Sequence, residues 1–160
     1  MPSEPRTLPT DFLTAHLPIS GGAVRRLGVG TWQIGGVTTW GGRPTGWGPT
    51  DPDEALQALR YALERGFNFF DTADAYGRGR SEELLGRAIR ESGVEQVVVC
   101  TKFGSREDDR GRFFLDFSPA WLQSAVESSL RRLGRERLDI LLLHSPPDDF
   151  DWENYDPTPF

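Results

Sequence analysis

A parallel α/β fold is what this sequence predicts, and more narrowly the first half of a (β/α)8 barrel. Three observations lead there. Short apolar runs alternate with amphipathic stretches at helical spacing in the order β-α-β-α-β-α-β, which calls for a parallel sheet with right-handed crossovers. The glycine-rich phosphate loops of the open-sheet alternatives are missing, since Gly28-Val29-Gly30 falls inside the first apolar run and no Walker A loop occurs. Polar residues stand at the carboxyl ends of successive strand-like runs, where barrel enzymes hold their active sites. A complete barrel takes about 200 to 250 residues. The 160 residues here reach four strands, so the expectation is a partial barrel of about four βα units spanning 17–160, after an N-terminal extension at 1–16.

The elements follow in order. Arg26–Trp32 is short, apolar and flanked by glycine, as befits a first buried strand. A long glycine- and tryptophan-rich loop comes next. Between Pro52 and Arg65 the apolar positions Ala55, Leu56, Leu59 and Leu63 recur at helical spacing. Asp51 is a suitable N-cap, Pro52 suits the first helical position, and Gly66 stands where the helix should stop. Phe67–Asp71 reads as the second strand. Ser81 opens a second helix with acids in its first turn. Val97–Thr101 is almost continuously apolar and β-branched, the pattern of a strand covered on both faces. Ser118-Pro119 opens a third helix whose residues Leu122, Val126, Ser129, Leu130 and Leu133 share a face and which ends at Gly134. Leu138–Leu143 is the fourth strand, and the acidic tail that follows resembles a fourth helix cut at its first turn.

Composition narrows the function. With 24 acidic and 18 basic residues the net charge is -6, which disfavours a nucleic-acid partner and its basic footprint. Cys100 is the single cysteine, so no intrachain disulfide is expected and a reducing, cytoplasmic setting is the default. There is no secretory signal pattern and no apolar run of membrane-spanning length. Two histidines and scattered acids offer no metal-ligand spacing, and His16, in the extension, is given no role. Lys102 is the sole lysine.

Asp71 ends the second strand, Lys102 the third and His144 the fourth, with Tyr76 in the loop after the second. Each alone has a bland reading as a turn cap, a solvated lysine, a loop histidine or a packed aromatic. Together, at neighbouring ends of parallel strands, they suggest proton donation. A phenol titrates near ~10, and a nearby ammonium favours its ionised form. Lys102 is expected to supply that charge, Asp71 to fix the lysine, and His144 to orient a substrate oxygen, leaving Tyr76 as general acid toward a forming alkoxide.

Phe70-Asp71-Thr72-Ala73-Asp74-Ala75-Tyr76-Gly77, then Gly79-Arg80-Ser81-Glu82-Glu83-Leu84-Leu85-Gly86, then Thr101-Lys102-Phe103-Gly104 and Leu141-Leu142-Leu143-His144-Ser145-Pro146 resemble the motifs of the aldo-keto reductase superfamily. Gly28–Trp32 is similar to its first barrel strand, and Leu17 to Arg26 to the hairpin that plugs the barrel bottom. The resemblance implies a hydride-transferring oxidoreductase acting on aldehyde, ketone or sugar carbonyls with NADP, or NAD, as cofactor. It implies catalytic roles for Asp71, Tyr76, Lys102 and His144, and places Gly30, Thr31, Trp32 and Asp71 beside the nicotinamide end. Trp32 and His144 would also meet substrate. Trp40 and Trp47 either roof the substrate pocket or pin the glycine-rich loop. The family's remaining cofactor contacts come from later strands, so the chain alone is expected to be inactive or nearly so. Its sheet edges are expected to favour self-association. A non-catalytic module, as in the similar potassium-channel beta subunits, and a fragment without function are the alternatives.

Overall fold

The fold is that of a computed structural model, which describes residues 14–16, 23–108 and 110–156. The predicted extension up to residue 13, the tip of the predicted hairpin at 17–22 and the last four residues of the tail lie outside the described residues.

The chain opens with an antiparallel hairpin, β1 (Thr14–His16) against β2 (Ala23–Arg25). Its first strand thus falls within the N-terminal extension at 1–16, and His16 is the last residue of β1. Asn68 fixes the hairpin in place: its side-chain carbonyl accepts from Arg25 N–H and its amide donates to Ala23 O, each at 2.9 Å. Asn68 immediately precedes β6 (Phe69–Asp71), so the hairpin sits at the amino ends of the strands, opposite the site described below.

The central sheet is parallel, in the order β3 (Val29–Gly30), β6, β7 (Val98–Phe103), β10 (Ile140–Leu143). The first strand is much shorter than Arg26–Trp32. A bend at Arg26-Leu27 precedes it, and Trp32 turns into a single 3-10 turn, Gln33–Gly35, after Thr31 has donated its N–H to Asp71 O at 2.9 Å. The outer strands β3 and β10 each have one partner among the described residues.

Local sequence accounts for the helices. In α1 (Pro52–Glu64) the Asp51 carboxylate accepts from Asp53 N–H at 2.8 Å, and Gly66 adopts φ 78° just beyond the end. In α3 (Pro119–Leu133) the Ser118 hydroxyl accepts from Trp121 N–H and Gly134 closes the helix at φ 66°. The second helix, α2 (Arg80–Ser92), departs from expectation at its start: the cap is Gly79, in the left-handed region, and Ser81 lies inside the first turn with its side chain turned to the core. The amphipathic faces of α1 and α2 cover one side of the sheet through Leu56, Leu59, Leu85 and Ala88 against Phe70 and Val99. A second cluster joins Phe103 to Leu122 and Ala125 of α3, with Leu141 and Leu143 of β10 packed against it.

Two further hairpins rise from the carboxyl-end loops. β4 (Thr38–Trp40) pairs with β5 (Arg43–Thr45), and β8 (Ser105–Glu107) with β9 (Phe113–Leu115). The first lies inside what reads as an irregular glycine-rich loop. After β10, residues 152–154 form a turn and not the start of a helix. Phe150 there packs edge-on against Phe117, Trp152 and Tyr155, which holds the tail against the α3 side of the sheet.

Candidate active site

The sheet register brings three of the four polar residues together. Asp71 is opposite Cys100, and Lys102 lies two positions further along β7. Lys102 is opposite Leu142, and His144 lies two positions beyond that. Steps of two keep every side chain on the same face of the sheet, so Asp71, Lys102 and His144 descend diagonally across three strands on the inner face. The backbone pins the end of the series, with His144 N–H donating to Phe103 O at 2.8 Å.

Lys102 is the hub. Its ammonium donates to Asp71 Oδ1 at 2.6 Å, to Thr72 O at 2.8 Å and to Tyr76 Oη at 3.2 Å. All three donor positions are thereby directed, although its side chain keeps only 15% of its exposure. Burial alone would lower its pKa, but the hydrogen bonds to Asp71 and Tyr76 outweigh that and hold it above the ordinary lysine value. His144 moves the other way: burial, with the neighbouring Lys102 charge, depresses its pKa and keeps the ring neutral near pH 7. Its Nδ1 is buried with no hydrogen-bond partner, and the ring stands edge-on to Tyr76, centroids 5.6 Å apart. Trp32 stacks on Tyr76, centroids 6.1 Å apart and planes at 28°.

A layer of buried hydroxyls that sequence reasoning missed supports these groups. Ser81 Oγ donates to Thr31 O at 2.8 Å and lies 2.7 Å from Thr31 Oγ1 and 3.1 Å from Thr72 Oγ1. Thr31 Oγ1 in turn donates to Asp71 O at 3.0 Å. All three residues are fully buried, so one serine ties the residue before Trp32 to the residues at the end of β6. Behind them Glu82, also fully buried, accepts from Thr101 Oγ1 and pairs with Arg132, each at 2.6 Å. Asp74 is another residue not singled out beforehand. Burial, reinforced by the Glu82 charge and opposed by Arg132, raises its pKa to about 7, and its Oδ1 has no hydrogen-bond partner. Cys100 is pushed up to about 11 by burial and by Asp71, which leaves an unreactive thiol.

A cleft of about 410 Å³ opens over Tyr76 and His144, walled by Trp32, Trp40 and Phe113. Trp40 is among the residues that line this cleft. Trp47 does not line this cleft; it meets Trp32 edge-on at 6.0 Å and is otherwise exposed, because the β4–β5 hairpin carries Trp40 inward and leaves Trp47 beyond its end. Phe113 and Leu115 of β9 complete the wall, although neither was foreseen. At the outer end of β3, a side chain at Gly30 would meet nothing within 4 Å. Trp32 keeps 44% of its exposure and the Asp71 side chain 41%, so this corner presents an uncovered surface beside the ammonium.

The sequence profile of the Aldo/keto reductase family matches residues 26–157. The chain belongs to this family. Among its relatives, an aldo-keto reductase of Bacillus subtilis is 39% identical over 122 residues, which cover 76% of this chain and 34% of that protein. The glycerol dehydrogenase of Gluconobacter oxydans superposes with a TM-score of 0.70 at 37% identity over 86% of this chain and 41% of its own. An aldo-keto reductase of Klebsiella pneumoniae in complex with NADPH superposes with a TM-score of 0.57 at 30% identity, over 80% of this chain and 38% of its own. The chain thus spans about a third of the curated relative's length and about two fifths of these solved family members. Its four-stranded parallel sheet is part of a (β/α)8 barrel.

Proposed function

We propose that these residues carry the proton-donating site of a nicotinamide-dependent carbonyl reductase. The observation behind this reading is the single buried ammonium that reaches Asp71 and Tyr76 at once. Tyr76 gives its proton to the oxygen of the reduced carbonyl. Lys102 stabilises the negative charge left on the phenol oxygen, and Asp71 holds the ammonium in place. His144, neutral and beside Tyr76, offers a hydrogen bond to the substrate oxygen. Atoms and charge balance: a carbonyl carbon gains hydride, its oxygen gains the tyrosine proton, and an alcohol results.

A bound reduced nicotinamide would supply the hydride. The corner formed by Gly30, Trp32 and Asp71 fits its nicotinamide end, because the space over Gly30 is open and the Trp32 ring and Asp71 carboxylate are both accessible, whereas Thr31, expected there too, is fully buried and supports the corner from behind. NADP is favoured over NAD by the NADPH complex of the Klebsiella relative. The substrate is a small aldehyde or ketone. Because β10 has one strand partner among the described residues and Leu142 on the inner face is 43% exposed, residues 1–160 by themselves are expected to turn over slowly compared with a closed barrel.

The test follows NADPH oxidation with a reactive aldehyde, for the chain alone and for the chain joined to the complementary half of a relative's barrel. Turnover by the joined protein that vanishes in Tyr76→Phe is expected. Turnover indifferent to Tyr76→Phe, or none in either protein, refutes the reading.

A further inference from the structure

Arg78 occupies a backbone position that suits glycine. It stands between Gly77 at φ 64° and Gly79 at φ 94°, and its own φ is 56°, in the left-handed region that residues with a Cβ avoid. Its side chain touches both hairpins that wall the cleft. The guanidinium donates to Thr39 O of β4 at 3.2 Å and pairs with the Glu107 carboxylate of β8. It also lies 5.9 Å from the centre of the Trp40 ring. The two hairpins belong to separate sheets. They meet where Trp40 and Phe113 pack edge to face at 5.4 Å, and these rings are the cleft wall facing Tyr76. Glu107 keeps only 12% of its side-chain exposure, so the pair is not a freely solvated one.

We propose that Arg78 is a positioning residue that fastens the two hairpins into one roof over Tyr76 and thereby sets the size of carbonyl compound admitted. The roofed space is lined by aromatic rings, small apolar groups and hydroxyls, with no charged side chain among the described residues. It is therefore matched to an uncharged carbonyl compound, and the contact that holds the Trp40 and Phe113 rings together limits how broad a ring system fits beneath them. Arg78 itself lies on the far side of the wall, facing a neighbouring cleft that shares Trp40 and Ser105, so it acts through the hairpins. The inference rests on reading this cleft as the carbonyl site.

The test measures dissociation constants of acetophenone and 2-acetylanthracene by ligand-observed NMR on the full chain; aryl ketones condense with the Lys102 amine far less readily than aldehydes do. In Arg78→Ala, acetophenone is expected to weaken about two- to fivefold, the range for a partly exposed ion pair, while 2-acetylanthracene tightens. Glu107→Gln should shift both in the same directions, and Arg78→Lys should restore part of the preference. A general loss of structure would weaken both ligands together, and that outcome overturns the proposal. So does an unchanged preference, or a parent chain that binds neither ketone. If the joined protein keeps its turnover in Tyr76→Phe while the ketone preference still depends on Arg78, the proton-donor reading falls and the roof stands.

Discussion

Asp74 gives the sharpest quantitative test, because its burial carries a definite pH signature. Its pKa rises from 3.8 to about 7, chiefly through burial and then through Glu82, against the attraction of Arg132 and the N–H of Ala75. Arg78, Arg106 and Glu107 share the cleft it borders. A carboxyl with a raised folded-state pKa is protonated in the fold over a range where the unfolded chain has already ionised. Folding must then take up a proton, and stability falls as pH rises. The window runs from about 4, the unfolded value, to about 7, the folded one. Across those three units the slope is about 1.4 kcal/mol per pH unit, which totals about 4 kcal/mol at pH 8. Asp74→Asn removes the ionisation. Its unfolding free energy relative to the parent, from urea titrations at pH 4, 5, 6, 7 and 8, should climb along that slope and level off above about pH 7. A constant offset at every pH refutes the argument, since it would mean that the carboxyl is as well solvated in the fold as outside it.

Four other outcomes follow from the same geometry. Arg132→Ala strands the fully buried Glu82 carboxylate and should cost about 3–5 kcal/mol in denaturant titrations; a loss below 1 kcal/mol would mean that Thr101 alone satisfies it. Gly77→Ala would bring a Cβ within 2.2 Å of Gly35 O at a backbone φ of 64°, so a loss of more than about 2 kcal/mol in thermal unfolding is expected, and near-parental stability would contradict this close approach. Ser81→Ala removes the hydroxyl that joins Thr31 to Thr72 and should cost about 1–3 kcal/mol, with a shift of the Trp32 indole resonance as the local readout. Lys102→Met should abolish Tyr76-dependent turnover in the joined protein, and retained turnover would detach the ammonium from the chemistry.

The helices were legible in the sequence because short-range rules govern them. Asp51-Pro52, Ser118-Pro119 and Gly134 act within one turn. The β4–β5 hairpin had a signal that went unread: Trp40-Gly41-Gly42-Arg43 is a two-residue turn with glycines at φ 58° and 75°, the geometry that suits tight hairpins. Thr38 and Thr45 face each other across it, their hydroxyls 2.8 Å apart. Ser81 was misread because a serine before an acidic stretch resembles a cap. Here Gly79 takes the left-handed cap position, and the serine one turn-step later is free to face the core. Asp74 and Arg78 were opaque for another reason: what surrounds them comes from α3 and β8, and no local pattern encodes that.

The placement of the four residues is also the part of the site least free to vary. In β7, Val99 and Phe103 pack toward the helices and Thr101 meets Glu82 of α2, so alternation turns Cys100 and Lys102 to the opposite face. In β6, Phe70 enters the helix-side core and Asp71 faces inward. In β10, Leu141 and Leu143 pack with α3, which sends Leu142 and His144 inward. A slip of one residue in any strand would carry a buried apolar side chain out of the core and the site residue onto the helix face. The apolar pattern that stabilises the sheet therefore also aims the lysine at the carboxylate and the phenol. This coupling explains why a polar set spread over more than seventy positions, from Asp71 to His144, needs no dedicated scaffold of its own.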